Sequence, residues 1–212
     1  MDRELATVAI LEAGRRLGAR GLISAGEGNL SIRLDDDRLL ITPSGRRKDE
    51  LEADDLVVVP RAPGDSAGRG ARSTSGLGPS SDLAIHLAVH AARPDIGAVA
   101  HAHLPASMAL TLAGEMPDPN ALPETALLLP RLPFVPFGEM GSEELAGRIA
   151  AALTDGTAPL PGAVLLERHG AVSVGPDLVT AVDRLELIEV LCRTWRDALL
   201  LRAARVAVDR AG

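Results

Sequence analysis

Ile96-Gly97-Ala98-Val99-Ala100-His101-Ala102-His103 is an apolar run that ends in two histidines spaced two apart. Its length and composition predict a buried strand. Side chains at i and i+2 of a strand point to one face. His101 and His103 therefore share a face at the carboxyl end of the run, just before Pro105 turns the chain away. Two imidazoles so placed can converge on one ion, since Zn–N bonds are about 2.0–2.1 Å. A His-x-His pair alone is more often structural than ligating, so a third donor is needed. His169 supplies a candidate: it lies between two predicted strands and precedes Gly170, which lets the backbone turn sharply.

Working outward, residues 4–19 place Leu5, Val8, Ile10, Leu11 and Leu17 at helical spacing. Residues 29–34 and 38–42 read as a hairpin across Asp35-Asp36-Asp37, and 56–59 as a short strand. The stretch 60–80 is rich in Gly, Ser, Pro and Ala and reads as a mobile surface loop. Residues 82–92 form a predicted helix with Ser80 or Ser81 as its cap. Further helices are expected over 105–113, 142–153 and 176–206. Strands are expected over 125–129, 132–136, 162–166 and 171–174. Helices and strands interleave, yet the strands include a hairpin. A single domain over residues 1–212 follows, of the α/β class, with a mixed or antiparallel sheet and helices on both faces.

Of 212 residues, 46% are apolar, with one Trp, two Phe and no Tyr, so the core must be aliphatic. The net charge is −7, and the longest basic run, Arg46-Arg47-Lys48, is followed at once by Asp49 and Glu50. Neither a nucleic-acid footprint nor a polybasic membrane patch is present. Cys192 is the one cysteine and, in an apolar helical context, reads as a buried inert thiol. The first 21 residues lack the apolar centre of a secretory signal, and no apolar stretch reaches the roughly 20 residues of a bilayer span. A cytoplasmic protein is the expectation.

A rival ligand set exists. Asp82, His86 and His90 share one face of the predicted helix. Arg93, one turn further on, would repel a cation there. His90 is therefore read as a surface or capping residue, and His86 as a partner that orients a ligand. Two loops with glycine, Gly26-Glu27-Gly28-Asn29 and Thr42-Pro43-Ser44-Gly45, join Ser80-Ser81 in offering backbone amides, hydroxyls and a helix start. Phosphate is held by such groups.

The ordered series Gly28-Asn29-Leu30-Ser31, Ile41-Thr42-Pro43-Ser44-Gly45, Pro79-Ser80-Ser81-Asp82, His101-Ala102-His103 and His169-Gly170 resembles the class II aldolase/adducin family over about residues 4–200. The resemblance implies a three-layer α/β/α fold with a mostly antiparallel central sheet, and a homotetramer with sites at subunit interfaces. It implies that His101, His103 and His169 bind Zn2+, with Mn2+, Co2+ or Fe2+ as other candidates. Gly28, Asn29, Ser44, Gly45, Ser80 and Ser81 match the phosphate-binding positions. Asp82 matches the acid that serves the family's aldolases as metal ligand and acid/base. The implied activity is a metal-dependent lyase acting on a phosphorylated ketose through a metal-stabilised enediolate, as in L-fuculose-phosphate aldolase. An L-ribulose-5-phosphate 4-epimerase, a sugar-phosphate dehydratase and a non-catalytic scaffold are the alternatives. Two departures bear on that choice. Family aldolases carry Glu at the position of Asp82, whereas the epimerases carry Asp there, and the tyrosine proton donors of both are absent. Glu124 is the candidate for the missing acid.

Overall fold

The computed structural model describes residues 1–61, 66–156 and 158–211. The chain begins with α1 (Arg3–Ala19), followed by β1 (Asn29–Arg33), β2 (Arg38–Ile41) and β3 (Val57–Pro60). A short helix α2 (Ser66–Gly70) leads to α3 (Leu83–Ala92), β4 (Ala98–Ala102) and α4 (Pro105–Leu112). Then come α5 (Pro123–Leu128), β5 (Phe134–Val135) and α6 (Glu143–Ala152). The chain closes with β6 (Ala163–Leu166), β7 (Gly170–Gly175) and the long α7 (Leu178–Ala211).

The seven strands form one sheet in the order β3-β2-β1-β4-β7-β6-β5, with β4 at its centre. Every neighbouring pair is antiparallel except β5 and β6. β4 explains the layering. Ala98, Ala100 and Ala102 face one way, into a core shared with α1, α4 and α7. Val99 faces the other way, into a core shared with α3 and α6. The small alanines leave room for Leu185, Ile188 and Cys192 of α7, all buried. Each fully buried leucine or isoleucine contributes about 1.5–3 kcal/mol. The protein is thus a three-layer α/β/α fold with a mostly antiparallel central sheet.

The hairpin, the histidine-bearing strand and the strands around His169 stand where the periodicity puts them. Some readings need correction. Residues 125–129 are largely helical, in α5. Pro123 sits in its first turn, and Thr125 hydrogen-bonds back to the carbonyls of Pro119 and Leu122. The strand expected over 132–136 shortens to Phe134–Val135. The cap position of α3 is Asp82, whose side chain makes no capping bond, while Ser80 Oγ accepts from the Asp82 amide at 3.2 Å. On α1 the buried stripe is Ala6, Ile10, Ala13, Gly14 and Leu17, whereas Leu5 and Val8 are exposed. Of the 60–80 stretch, residues 62–65 lie outside those described. Among the described residues no helix is long and apolar enough to cross a membrane.

Candidate metal centre and phosphate pocket

The end of β4 and the turn between β6 and β7 build the centre. His101 pairs with Val172 in the β4–β7 register, so β7 starts alongside the histidine pair. Arg168 and Gly170 both adopt positive φ, 57° and 81°. A Cβ on Gly170 would lie 2.1 Å from the Ala102 carbonyl oxygen and 2.6 Å from the His103 Cα. Glycine alone allows that approach, and it carries His169 up to the other two rings. The ring centroids of His101 and His103 are 5.1 Å apart, and His169 lies 4.8 Å from each. One nitrogen from each ring falls within 4.8 Å of the other two.

Hydrogen bonds orient the rings. His101 Nδ1 donates to the Ala171 carbonyl at 2.9 Å, and His103 Nδ1 meets Glu27 Oε2 at 3.0 Å. A carbonyl can only accept, so the His101 proton sits on Nδ1 and Nε2 keeps its lone pair. The Nε2 atoms of His101 and His169 are buried and have no hydrogen-bond partner. Burial pushes His101 down to about 3, with His169 and His103 adding repulsion. Burial, and next His103, also lower His169. His101 and His169 are therefore held neutral, which is the form that binds a metal. Buried, unpartnered imidazole nitrogens converging on one point fit a divalent ion.

Asp82 is buried beside this cluster but is not one of its members. Its Oδ2 accepts from Asn29 Nδ2 at 2.9 Å, while Oδ1 is buried without a partner. Burial opposes its charge, yet His101, the Asn29 hydrogen bond, His169 and His86 more than offset this and hold it below the usual carboxylate range. Behind Asn29 runs a buried chain. Asn29 Oδ1 is 2.6 Å from His86 Nε2, His86 Nδ1 is 2.7 Å from Ser31 Oγ, and Ser31 Oγ is 3.0 Å from His90 Nε2. Since Asn29 gives its N–H to Asp82, its oxygen must accept from His86. The order of donors is then settled along the chain: His90 to Ser31, Ser31 to His86, His86 to Asn29, Asn29 to Asp82.

His90 is thus fully buried, which corrects its reading as a surface or capping residue. The α3 face that bears it packs on β1 rather than facing water. His86 is a partner of the site through Asn29. Asp82, His86 and His90 form this hydrogen-bonded chain, and the one metal-type cluster among the described residues is the triad.

The pocket beside the triad is lined by Gly28, Asn29, Ser44, Gly45, Ser80 and Ser81. The loops that bear them are tied together: the Ser44 amide donates to the Gly78 carbonyl and the Ser80 amide to the Thr42 carbonyl. Gly28 has φ 71°, and a Cβ there would lie 2.9 Å from the His101 carbonyl. Every phosphate-type position expected from the sequence therefore borders one pocket, together with Asp82, His103 and His169. Glu124 does not line it and stands exposed in the first turn of α5. Three lining residues carried no assigned role in the sequence reading: Lys48, Met140 and Glu27, the last of which orients His103. For Lys48 a signal existed, since it is the only lysine in the chain. Cys192 is buried and its thiol is pushed up to about 12 by burial, so it is inert as expected.

The sequence profile of the Class II Aldolase and Adducin N-terminal domain family matches residues 8–196. A methylthioribulose-1-phosphate dehydratase of Granulibacter bethesdensis is 33% identical over 204 residues, covering 89% of each chain. A 3-oxo-tetronate 4-phosphate decarboxylase of Haemophilus influenzae is 30% identical over 184 residues, covering 85% of this chain and 81% of the relative. The crystal structure of L-fuculose-1-phosphate aldolase from Thermus thermophilus superposes with a TM-score of 0.78 at 28% identity, covering 94% of this chain and 96% of that one. The chain belongs to the class II aldolase/adducin family and is an enzyme of the class II aldolase type, a class that uses a divalent metal.

Proposed function

We propose that the protein is a divalent-metal lyase that acts on a small phosphorylated ketose by way of an enolate. The observation that carries this reading is the converging histidine triad, with the Nε2 atoms of His101 and His169 buried and unpartnered, beside three amide- and hydroxyl-bearing loops. An ion held by His101, His103 and His169 supplies Lewis-acid stabilisation of the charge that develops on a substrate carbonyl oxygen. Zinc suits three imidazole nitrogens best, ahead of manganese, cobalt or iron. The loops at Gly28-Asn29, Ser44-Gly45 and Ser80-Ser81 bind the phosphate and so fix the distance of the carbonyl from the triad. Asp82, ionised and with Oδ1 free, takes the proton released as the enolate forms. Whether Asp82 also ligates the metal is tested by the metal affinity of Asp82→Asn.

Loss of a β-hydroxyl, retro-aldol cleavage and decarboxylation of a 3-oxo acid share that enolate. The 33% identity to a methylthioribulose-1-phosphate dehydratase over nearly the whole chain supports hydroxyl loss as the first reaction to test. The likeness to L-fuculose-1-phosphate aldolase supports C–C cleavage as the second. Either reaction needs an acid for the departing oxygen, and the chain has no tyrosine. Glu124 would serve the pocket of a neighbouring copy, in keeping with the expected tetramer. The intact triad argues against a bare scaffold.

Untagged protein dialysed against chelator should lose turnover of ketose 1-phosphates and regain it with zinc or manganese. Product analysis then separates dehydration from cleavage. His101→Ala and His169→Ala should drop the bound metal from about one ion per chain to below about a tenth. Full activity in metal-free protein would overturn the proposal.

A further inference from the structure

Lys48 is the only lysine among 22 basic side chains; the other 21 are arginine. It is also among the largest fully buried side chains, 2% exposed, although the sequence reading saw only a short basic run there. Its Nζ donates to the Gly26 carbonyl at 2.6 Å and to the Arg46 carbonyl at 2.7 Å. Those carbonyls belong to the two glycine-bearing loops of the pocket, and Lys48 lines that pocket with Ser44, Gly45, Ser80 and Ser81. Its backbone is fixed from behind: a Cβ on Gly14 of α1 would lie 2.0 Å from the Lys48 carbonyl oxygen.

An ammonium carries three donors, and two are spent on the loops. Among the described residues no carboxylate forms an ion pair with Lys48 within 4.0 Å. Burial lowers its pKa to about 8, while Asp82 and Glu27 act to keep it charged. A charge held out of water without a salt-bridge partner is costly unless a ligand supplies the counter-charge. A compact ammonium fits the space between two loops, where a planar guanidinium would need a wider fork of acceptors.

We propose that Lys48 is the charged anchor of the pocket, bracing its two loops through Gly26 and Arg46 and giving its third N–H to a phosphate oxygen of the substrate, a phosphomonoester. This rests on the reading of the pocket as a phosphate site. It adds the cation that the amides and hydroxyls of the loops do not provide.

The test uses metal-loaded protein and inorganic phosphate as the probe. In the wild type, phosphate should raise the melting temperature and compete with a ketose 1-phosphate, but not with the same ketose lacking phosphate. In Lys48→Met the phosphate affinity should fall by about 10–100-fold, the range for a lost hydrogen bond to a charged group. The loss in kcat/KM should fall mainly on KM. Lys48→Arg should recover part of the affinity. A second measurement needs no variant: protein grown on 13C-labelled lysine gives a single ε-methylene signal, which should shift as phosphate is added. Unchanged phosphate affinity in Lys48→Met, or a labelled signal that ignores bound phosphate, overturns the role of Lys48 and leaves the phosphate site standing. A wild type that neither binds phosphate nor turns over any ketose phosphate overturns both.

Discussion

His86 and His90 touch no metal, yet their burial decides how the protein meets acid. Burial lowers His86 from its ordinary 6.5 to about 4 and puts His90 well below its ordinary value. In the unfolded chain both would take up a proton near pH 6.5. Below that pH the unfolded state binds more protons than the folded one, so stability falls as pH falls. The window runs from 6.5 down to about 4 for His86. Each such group removes up to about 1.4 kcal/mol per pH unit. The urea midpoint should drop steadily across that window, and a flat midpoint would refute the buried neutral pair. The i,i+4 spacing of these histidines showed that they share a helix face. It could not show that the face meets Ser31 of β1 rather than water, because that depends on the pairing of segments far apart in sequence. His101, His103 and His169 were legible for the opposite reason: strand alternation and a following glycine are local signals.

At the scale of elements, small residues decide what packs. On α1 the larger Leu5 and Val8 face outward, while Ala6, Ala13 and Gly14 are buried against neighbours. Hydrophobicity by itself marked Ile10 and Leu17 rightly but Leu5 and Val8 wrongly, since close approach there favours the absence of a side chain. Gly14 is the sharpest case. In an exposed helix, Gly→Ala gains about 1 kcal/mol of helix propensity. Here the added methyl would strike the Lys48 carbonyl. Gly14→Ala should therefore lower the melting temperature and weaken phosphate inhibition together. A variant as stable as the wild type, with unchanged inhibition, would show that α1 does not hold the loop. The segment 125–129 was illegible for a related reason. Thr125-Ala126-Leu127-Leu128-Leu129 suits a strand or a helix, and the turn at Pro123 tips it to helix.

For the whole molecule, the sequence and the structure agree on three layers, with His101 and His103 at the carboxyl end of a buried strand. The surface adds a question of assembly. Leu5, Val8, Leu200, Leu201 and Val208 are all exposed on the two terminal helices. Light scattering should return four times the chain mass, and a stable monomer at micromolar concentration would refute the tetramer. The placement of the triad also has a consequence for biogenesis. β4 is flanked by β1 and β7, so His101, with His103 just past the strand's end, is set between strands made well before and well after it. His169 leaves the ribosome last of the three; its turn is closed by the β6–β7 pairing and meets the other two histidines only when β7 pairs with β4. The nascent chain therefore offers no finished cradle for most of its synthesis. An ion could be held by all three histidines only after β7 has paired with β4.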